Sequence, residues 1–319
     1  VIISNSSVLS VNTLTNFVND QLFTLIITGC GLALGADQLA AREPLHVGTN
    51  PESVTRGFGG DYFVTLINDK EVPGDGVVRR IAGKVVTDFA AGLENPKGIV
   101  FVREHLITAD MTKVWRINAK GEKEIVAEDK DFPFPIGMLN DVAAAPNGDI
   151  YVSDMGATTE MRDKDGKLWP LESAEASALP SVGRIYRVTW EGKVTVAVEP
   201  NSTMPCPNGV ATGPSNEILI GDFFTGNLLS IREGASTIIM KGFRGADGIG
   251  RDTHNNLVVS SWVEGKVWKI PASGGEPLVL AEGLKAAADF YLDEPAGVLV
   301  IPDMLDSTLH FFPLDSESR

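Results

Sequence analysis

From residue 45 onward, apolar positions fall in short runs separated by Gly, Pro, Asn and Asp. "YFVTL", "IYVSD", "EILIGD" and "LVVSSW" are of strand length, and turn residues bound them on both sides. The runs follow an order. A Gly/Pro/Asn loop leads into a short apolar strand, then an acid-containing turn, then a strand of the type hydrophobic-x-Arg/Lys-Ile ("KVWRI", "KVWKI"), then a further strand. No long stretch after residue 45 has the 3.6-residue period of a helix, so a barrel or doubly wound fold with helices between strands is excluded.

The order recurs six times. The units open at "NPESV" (Asn50), "NPKGIV" (Asn95), "LNDVAAAPNGDIYVSD" (Leu139), "PNGVATGP" (Pro207), "ADGIGRDTHNNLVVSSW" (Ala246) and "AADFYLDEPAGVLVIPD" (Ala287). Aligning Glu52, Lys97, Asn140, Asn208, Asp247 and Asp289 gives steps of 39 to 45 residues and one of 68. Short strands repeating at 40 to 50 residues indicate a radial array, because each small sheet has two apolar faces and buries them only against its neighbours. The expectation is an all-β, six-bladed β-propeller with four-stranded blades over residues 45–315, closed by strands from both ends in one blade so that no edge is left unpaired. The long step contains residues 156–182, a polar excursion with two prolines that reads as a functional loop.

In such an array, residues that open successive innermost strands converge on one mouth of the axial channel. The alignment puts Glu52, Asn140, Asn208 and Asp247 there. These are two carboxylates and two amides, oxygen donors that suit a hard divalent cation, with Ca²⁺ the first choice. No His or Cys falls in the set, which argues against a zinc or copper cage. The competing reading is that these are ordinary turn residues of a Gly- and Asn-rich fold.

Composition narrows the partners. The 319-residue chain has a net charge of −15 and a pI near 4.7, which opposes nucleic-acid binding and suits a small-molecule enzyme or cation binder. Two cysteines exclude a disulfide framework. Cys30 lies in the apolar run 22–36, too short to span a bilayer comfortably and signal-like in ending on small residues. Residues 1–36 are therefore read as an upstream segment with a secretion signal, implying a periplasmic or extracellular protein. "ITGC" resembles a lipoprotein box and makes Cys30 a candidate lipid anchor. The stretch before the run has no Lys or Arg, and a buried N-terminal helix or strand is the alternative.

The motifs "NPESV", "LNDVAAAPNGDIYVSD", "CPNGVATGP" and "GADGIGRDTHNNLVVS" resemble those of the SMP-30/gluconolactonase family of six-bladed propellers. The resemblance covers roughly residues 45–315. It implies a divalent metal, usually Ca²⁺, at the axis, with Glu52, Asn208 and Asp247 as ligands and Asn140 as a fourth residue reaching metal or substrate. It also implies hydrolysis of a lactone or related ester, with Asp247 as the candidate base. The chain departs from the family's usual "EGP" opening, having Glu-Ser-Val after Pro51. Two alternatives stay open: a phosphotriesterase using the same ring, and a non-catalytic propeller that binds peptide, glycan or protein. Phe132, Phe134, Phe223 and Phe224 are candidates for an apolar pocket wall. Cys206 reads as packing below the site, and His105 and His254 as surface residues. No G-x-S-x-G motif is present, which disfavours a serine hydrolase of the α/β type.

Overall fold

The computed structural model describes residues 43–314. Residues 1–36, with the run 22–36 and Cys30, lie outside the described residues. Within them, twenty-four strands form six four-stranded antiparallel sheets, and the one α-helix is the single turn Ala174–Ala178. The chain is a six-bladed β-propeller. No helix among the described residues is long and apolar enough to cross a membrane.

Blades 1 to 5 are meanders that run outward from the axis, with innermost strands Pro51–Arg56, Pro96–Val102, Leu139–Ala144, Pro207–Gly213 and Ala246–Arg251. Blade 6 runs outward through Tyr291–Asp293, Val298–Asp303 and Thr308–Pro313, and the N-terminal strand Leu45–His46 completes it. Leu45 pairs with Leu309 and His46 with Thr308. The core lies between blades. One cluster joins Val54, Val64 and Leu66 of blade 1 to Val298, Val300 and Leu309 of blade 6, and another joins Leu219 and Leu228 of blade 4 to Ile249 and Val259 of blade 5. Each sheet thus covers an apolar face that its neighbour could not bury alone.

The innermost strands share one irregularity. Pro51 pairs with Leu66 and Val54 with Val64, so Glu52 and Ser53 stand opposite Thr65 alone. The same two-against-one bulge places Lys97–Gly98, Asn140–Asp141, Asn208–Gly209 and Asp247–Gly248 in blades 2 to 5. Hydroxyls opposite the bulges take up the extra amides: Thr65 Oγ1 accepts from Ser53 N (3.0 Å), Ser153 Oγ from Asp141 N (2.8 Å) and Ser260 Oγ from Gly248 N (2.8 Å). Two of them also donate across to the next blade, Thr65 to the carbonyl of Lys97 (2.7 Å) and Ser260 to that of Ala288 (2.8 Å). The Asn-Gly and Asp-Gly motifs follow from the same crowding. A Cβ on Gly209 would sit 1.9 Å from the Asp247 carbonyl oxygen, and one on Gly248 2.5 Å from Asp289 Oδ1.

The pairing corrects the sixth member of the alignment. The bridge between Ala287 and Asp303 makes Ala287 the equivalent of Pro51 and Ala246, so Ala288 is the ring position. Asp289 falls one residue further along, level with Ser53, and accepts a hydrogen bond from the Ser53 hydroxyl.

The acid of each acid-containing turn has a structural role. Asp110, Asp154, Asp222 and Asp303 end the second strands of blades 2, 3, 4 and 6, are buried, and accept backbone N–H groups from the loop that enters the innermost strand. Asp154 Oδ1 takes Gly137, Met138 and Gly156 N, each at 3.0 Å. Asp303 takes Lys285 N at 2.7 Å and Ala286 N at 3.0 Å. Replacing Asp154 with Ala orphans these donors, and buried unpaired amides cost about 1–3 kcal/mol each before relaxation. We expect Asp154→Ala to lower stability by about 2–4 kcal/mol in urea unfolding, against less than about 0.5 kcal/mol for the exposed Asp165→Ala.

Candidate functional site

The bulge turns the first of its two residues toward the axis, and four of the six ring positions carry oxygen donors. Glu52, Asn140, Asn208 and Asp247 are 2–5% exposed and line one cavity of about 300 Å³. Among the described residues, few buried side-chain polar atoms are without a hydrogen-bond partner, and four of them belong to this ring: Glu52 Oε2, Asn140 Oδ1, Asn208 Oδ1 and Asp247 Oδ1. An unmet acceptor in such a place is costly unless a ligand completes it. Asn140 is held by its own amide, whose Nδ2 donates to Met155 Sδ at 2.9 Å. No three His, Cys, Asp or Glu side chains cluster in metal-binding fashion among the described residues, so any cation here depends on the amide oxygens as much as on the carboxylates.

Lys97 holds the blade 2 position, half-buried, in the wall of the same cavity. The sequence carried its signal, since Lys97 sits in the repeat register, but a search for oxygen donors passes over an ammonium. One layer below, Asp141 is also buried and Asp289 is half-buried. Asp141 accepts Val142 N (2.6 Å) through Oδ1 and Val210 N of the next blade (2.7 Å) through Oδ2. The channel thus concentrates four carboxylates, three of them buried, with Lys97 the cation that acts on Glu52 and Asp247.

The electrostatics follow from that imbalance. Burial, with Asp289 adding to it, pushes Glu52 up to about 8 against the field of Lys97. Burial also drives Asp247 well above the aspartate range, reinforced by Glu52 and Asp289 and opposed by Lys97 and a hydrogen bond from Asn208. Burial raises Asp289 to about 6 despite the Ser53 hydrogen bond. Asp141 is raised by burial first and by the charges of Asp289 and Glu52 second. Four neighbouring carboxyl groups are all shifted toward the protonated form, with burial the first cause in each and the charges of neighbouring carboxylates adding to it in Glu52, Asp141 and Asp247.

The excursion 156–182 folds over this mouth. Met161 is buried with Met155, Cys206, Phe223 and Phe224, and Thr158, Met161 and Arg162 reach the cavity. The Arg162 guanidinium lies 5.4 Å from the Phe223 ring centre and 6.0 Å from that of Trp262. The Ser173 hydroxyl caps the excursion's short helix, accepting from Ala176 N at 3.1 Å. Of the four phenylalanines expected in the wall, Phe223 alone lines the cavity. Phe132 instead packs edge-on to Tyr186 within the core of blades 2 and 3, and Phe134 is exposed under Arg184. Phe224 faces a separate cavity of about 510 Å³ beside the short helix; although larger, that cavity contains no orphaned polar atom and none of the ring. Cys206 is fully buried and lines neither cavity.

The family model described as the SMP-30/gluconolactonase/LRE-like region matches residues 80–279, more than half of the chain, leaving Glu52 outside the matched stretch. No curated protein matches by sequence. Among solved structures, a gluconolactonase from Xanthomonas campestris is 16% identical with a TM-score of 0.65, covering 84% of this chain and 87% of that one. The calcium-binding protein regucalcin from Agrobacterium tumefaciens is 18% identical with a TM-score of 0.60, covering 81% and 82%. A virginiamycin B lyase from Staphylococcus aureus is 16% identical with a TM-score of 0.57, covering 84% and 97%. At these identities the structures share a fold, whereas the family match extends over blades 2 to 5, with Asn140, Asn208 and Asp247. The chain belongs to the SMP-30/gluconolactonase/LRE-like family.

Proposed function

We propose that the protein is a divalent-cation-dependent hydrolase that opens a lactone or a related ester at the mouth of the propeller channel. One observation carries the reading: four buried side-chain oxygens without partners, on four different blades, all border the same cavity. Family membership supports a lactonase-like hydrolase. The donor set fits a hard cation, being all oxygen, with two formal charges against a divalent ion and no His or Cys. Glu52, Asn208 and Asp247 would hold it with Asn140 as the fourth donor, and calcium is the first choice. When bound, such an ion supplies the positive charge that polarises the scissile carbonyl.

The chain's own groups do the rest. Lys97 brings a further positive charge to ring level, where negative charge develops on the carbonyl oxygen. Asp247 is the candidate acceptor for the proton of the attacking water. Burial, Glu52 and Asp289 raise the basicity of this carboxylate, and a cation held beside it would offset that rise and acidify the attacking water instead. The Asn140 amide, fixed through Met155, orients the reacting group. Met161, Phe223 and Trp262 close the mouth and limit bulk water, which strengthens each of these interactions. The cavity beside the ring favours catalysis over a purely structural ion, which would need no space for a ligand.

Three outcomes test this reading. Because the ring carboxylates bind protons more tightly folded than unfolded, cation-free protein should lose stability as pH rises from about 4.5 through about 8, where Glu52 titrates. Unfolding in urea with chelator at pH 5, 6.5 and 8 should show that fall, and saturating calcium should cancel it; stability that rises over this range would refute the assignment. Asp247→Asn should reduce hydrolysis of the best substrate in a panel of lactones, aryl esters and phosphotriesters by about 10³-fold or more. It should also weaken calcium binding in calorimetry while the circular dichroism of the propeller is kept. Asn140→Ala should lower kcat by about 10–100-fold with a smaller loss of calcium affinity, if the amide chiefly orients substrate.

A further inference from the structure

The cavity has a polar floor and an apolar wall, and the two make different demands on a ligand. The floor is the ring with Lys97. The wall is Ile67, Met138, Met155, Met161, Phe223, Trp262 and Met304, and it holds four of the seven methionines in the chain. Thr158 supplies the single hydroxyl among the lining residues.

Three polar groups of the wall are at least partly engaged, which leaves the other Arg162 N–H groups and the Thr158 hydroxyl for a ligand. The Trp262 Nε1–H points to Met304 Sδ at 3.3 Å. One Arg162 nitrogen donates to the Gly166 carbonyl at 2.9 Å, and the guanidinium lies over two aromatic rings. The Asn140 amide nitrogen is bonded to Met155 Sδ. A ligand with many hydroxyls would therefore shed its water against this wall and find few replacements, at a cost for each unpaired group. An aliphatic chain gains there. Methionine side chains are unbranched and polarisable, and re-pack around chains of different shape.

We infer that the substrate is a lactone or ester carrying an aliphatic arm, with the reacting carbonyl on the ring and the arm along the methionine wall, and that polyhydroxylated sugar lactones are poor ligands. The reacting end rests on the hydrolase reading above; the arm rests on the wall alone. At about 300 Å³ the cavity is at the small end for ligand sites, so the gain per carbon stops once the wall is covered.

Alkyl δ-lactams present the same carbonyl and resist hydrolysis, so they report binding without turnover. The calcium-loaded full chain is titrated by calorimetry with methyl-, butyl- and octyl-substituted δ-lactams and with gluconolactam. Each buried methylene should tighten Kd about fourfold, giving roughly 60-fold from methyl to butyl and a smaller gain per carbon to octyl. Gluconolactam should bind more weakly than the methyl compound. Met304→Gln should cut the butyl-to-methyl ratio below about tenfold with calcium affinity unchanged. Equal or tighter binding of gluconolactam, a ratio near one, or no binding of any lactam would overturn the inference. Hydrolysis of the matching lactones is measured separately. Graded lactam binding without lactone hydrolysis would end the hydrolase reading and leave the aliphatic-arm inference standing.

Discussion

The structure depends on a local mismatch, two residues against one, at the same height in blades 1 to 5. A regular antiparallel pair would alternate side chains between the two faces of a sheet, and both faces of a propeller blade are covered by other blades. The bulge breaks that alternation once and aims one side chain per blade down the axis. Its extra amide has to be satisfied inside the protein, which explains the hydroxyls of Thr65, Ser153 and Ser260 opposite. Two of those hydroxyls bond onward to the ring backbone of the next blade, so the device that opens the site also fixes the spacing of its members.

What the bulges converge on is unfavourable by itself. Glu52, Asp141 and Asp247 are removed from water within one channel beside the half-buried Asp289, and each of the four is shifted toward its protonated form. A fold optimised for stability alone would fill these positions with apolar side chains, as Ala288 does in blade 6. Keeping carboxylates there makes sense when a ligand supplies the missing charge, and it links the binding of that ligand to the titration of the ring. The excursion and the methionine wall add the second half of the site, where the interaction is burial instead of charge.

Much of this was legible in the sequence. The repeat of Asn-Pro, Asn-Gly and Asp-Gly openings marks the innermost strands because crowding by the next blade leaves no room for a Cβ at Gly209 or Gly248. Glu52, Asn140, Asn208 and Asp247 could be aligned on that mark. Blade 6 lacks it: its ring residue is Ala288, which carries no polar signal, so the neighbouring Asp289 was aligned in its place. Asp110, Asp154, Asp222 and Asp303 read as turn acids, and their role in clamping the entry loop emerges only once both ends of each hairpin are placed. Phe132 and Phe134 alternate with proline, and proximity to Asn140 along the chain says nothing about which way the rings face. Met138 and Met161 flank the first hairpin of blade 3 and Met304 follows the second strand of blade 6, and only the folded ring makes them one wall.

The pairing of Leu45 with Leu309 has a further consequence. Every other blade can form as soon as its own meander exists, but blade 6 waits for a partner roughly 260 residues away, so the ring shuts as a late step of folding. Until then the apolar faces of blades 1 and 5 have no cover, and a chain that stops short of Thr308 exposes them to aggregation. The join between blades 6 and 1 is the seam of the finished molecule, and Glu52 stands on it: its backbone carbonyl accepts the Asp289 N–H from across the gap at 3.1 Å. A ligand gripped by Glu52 and by residues on the far side of the channel therefore acts as a clasp. It resists parting of the two chain ends, and whatever loosens those ends also loosens the grip on the ligand.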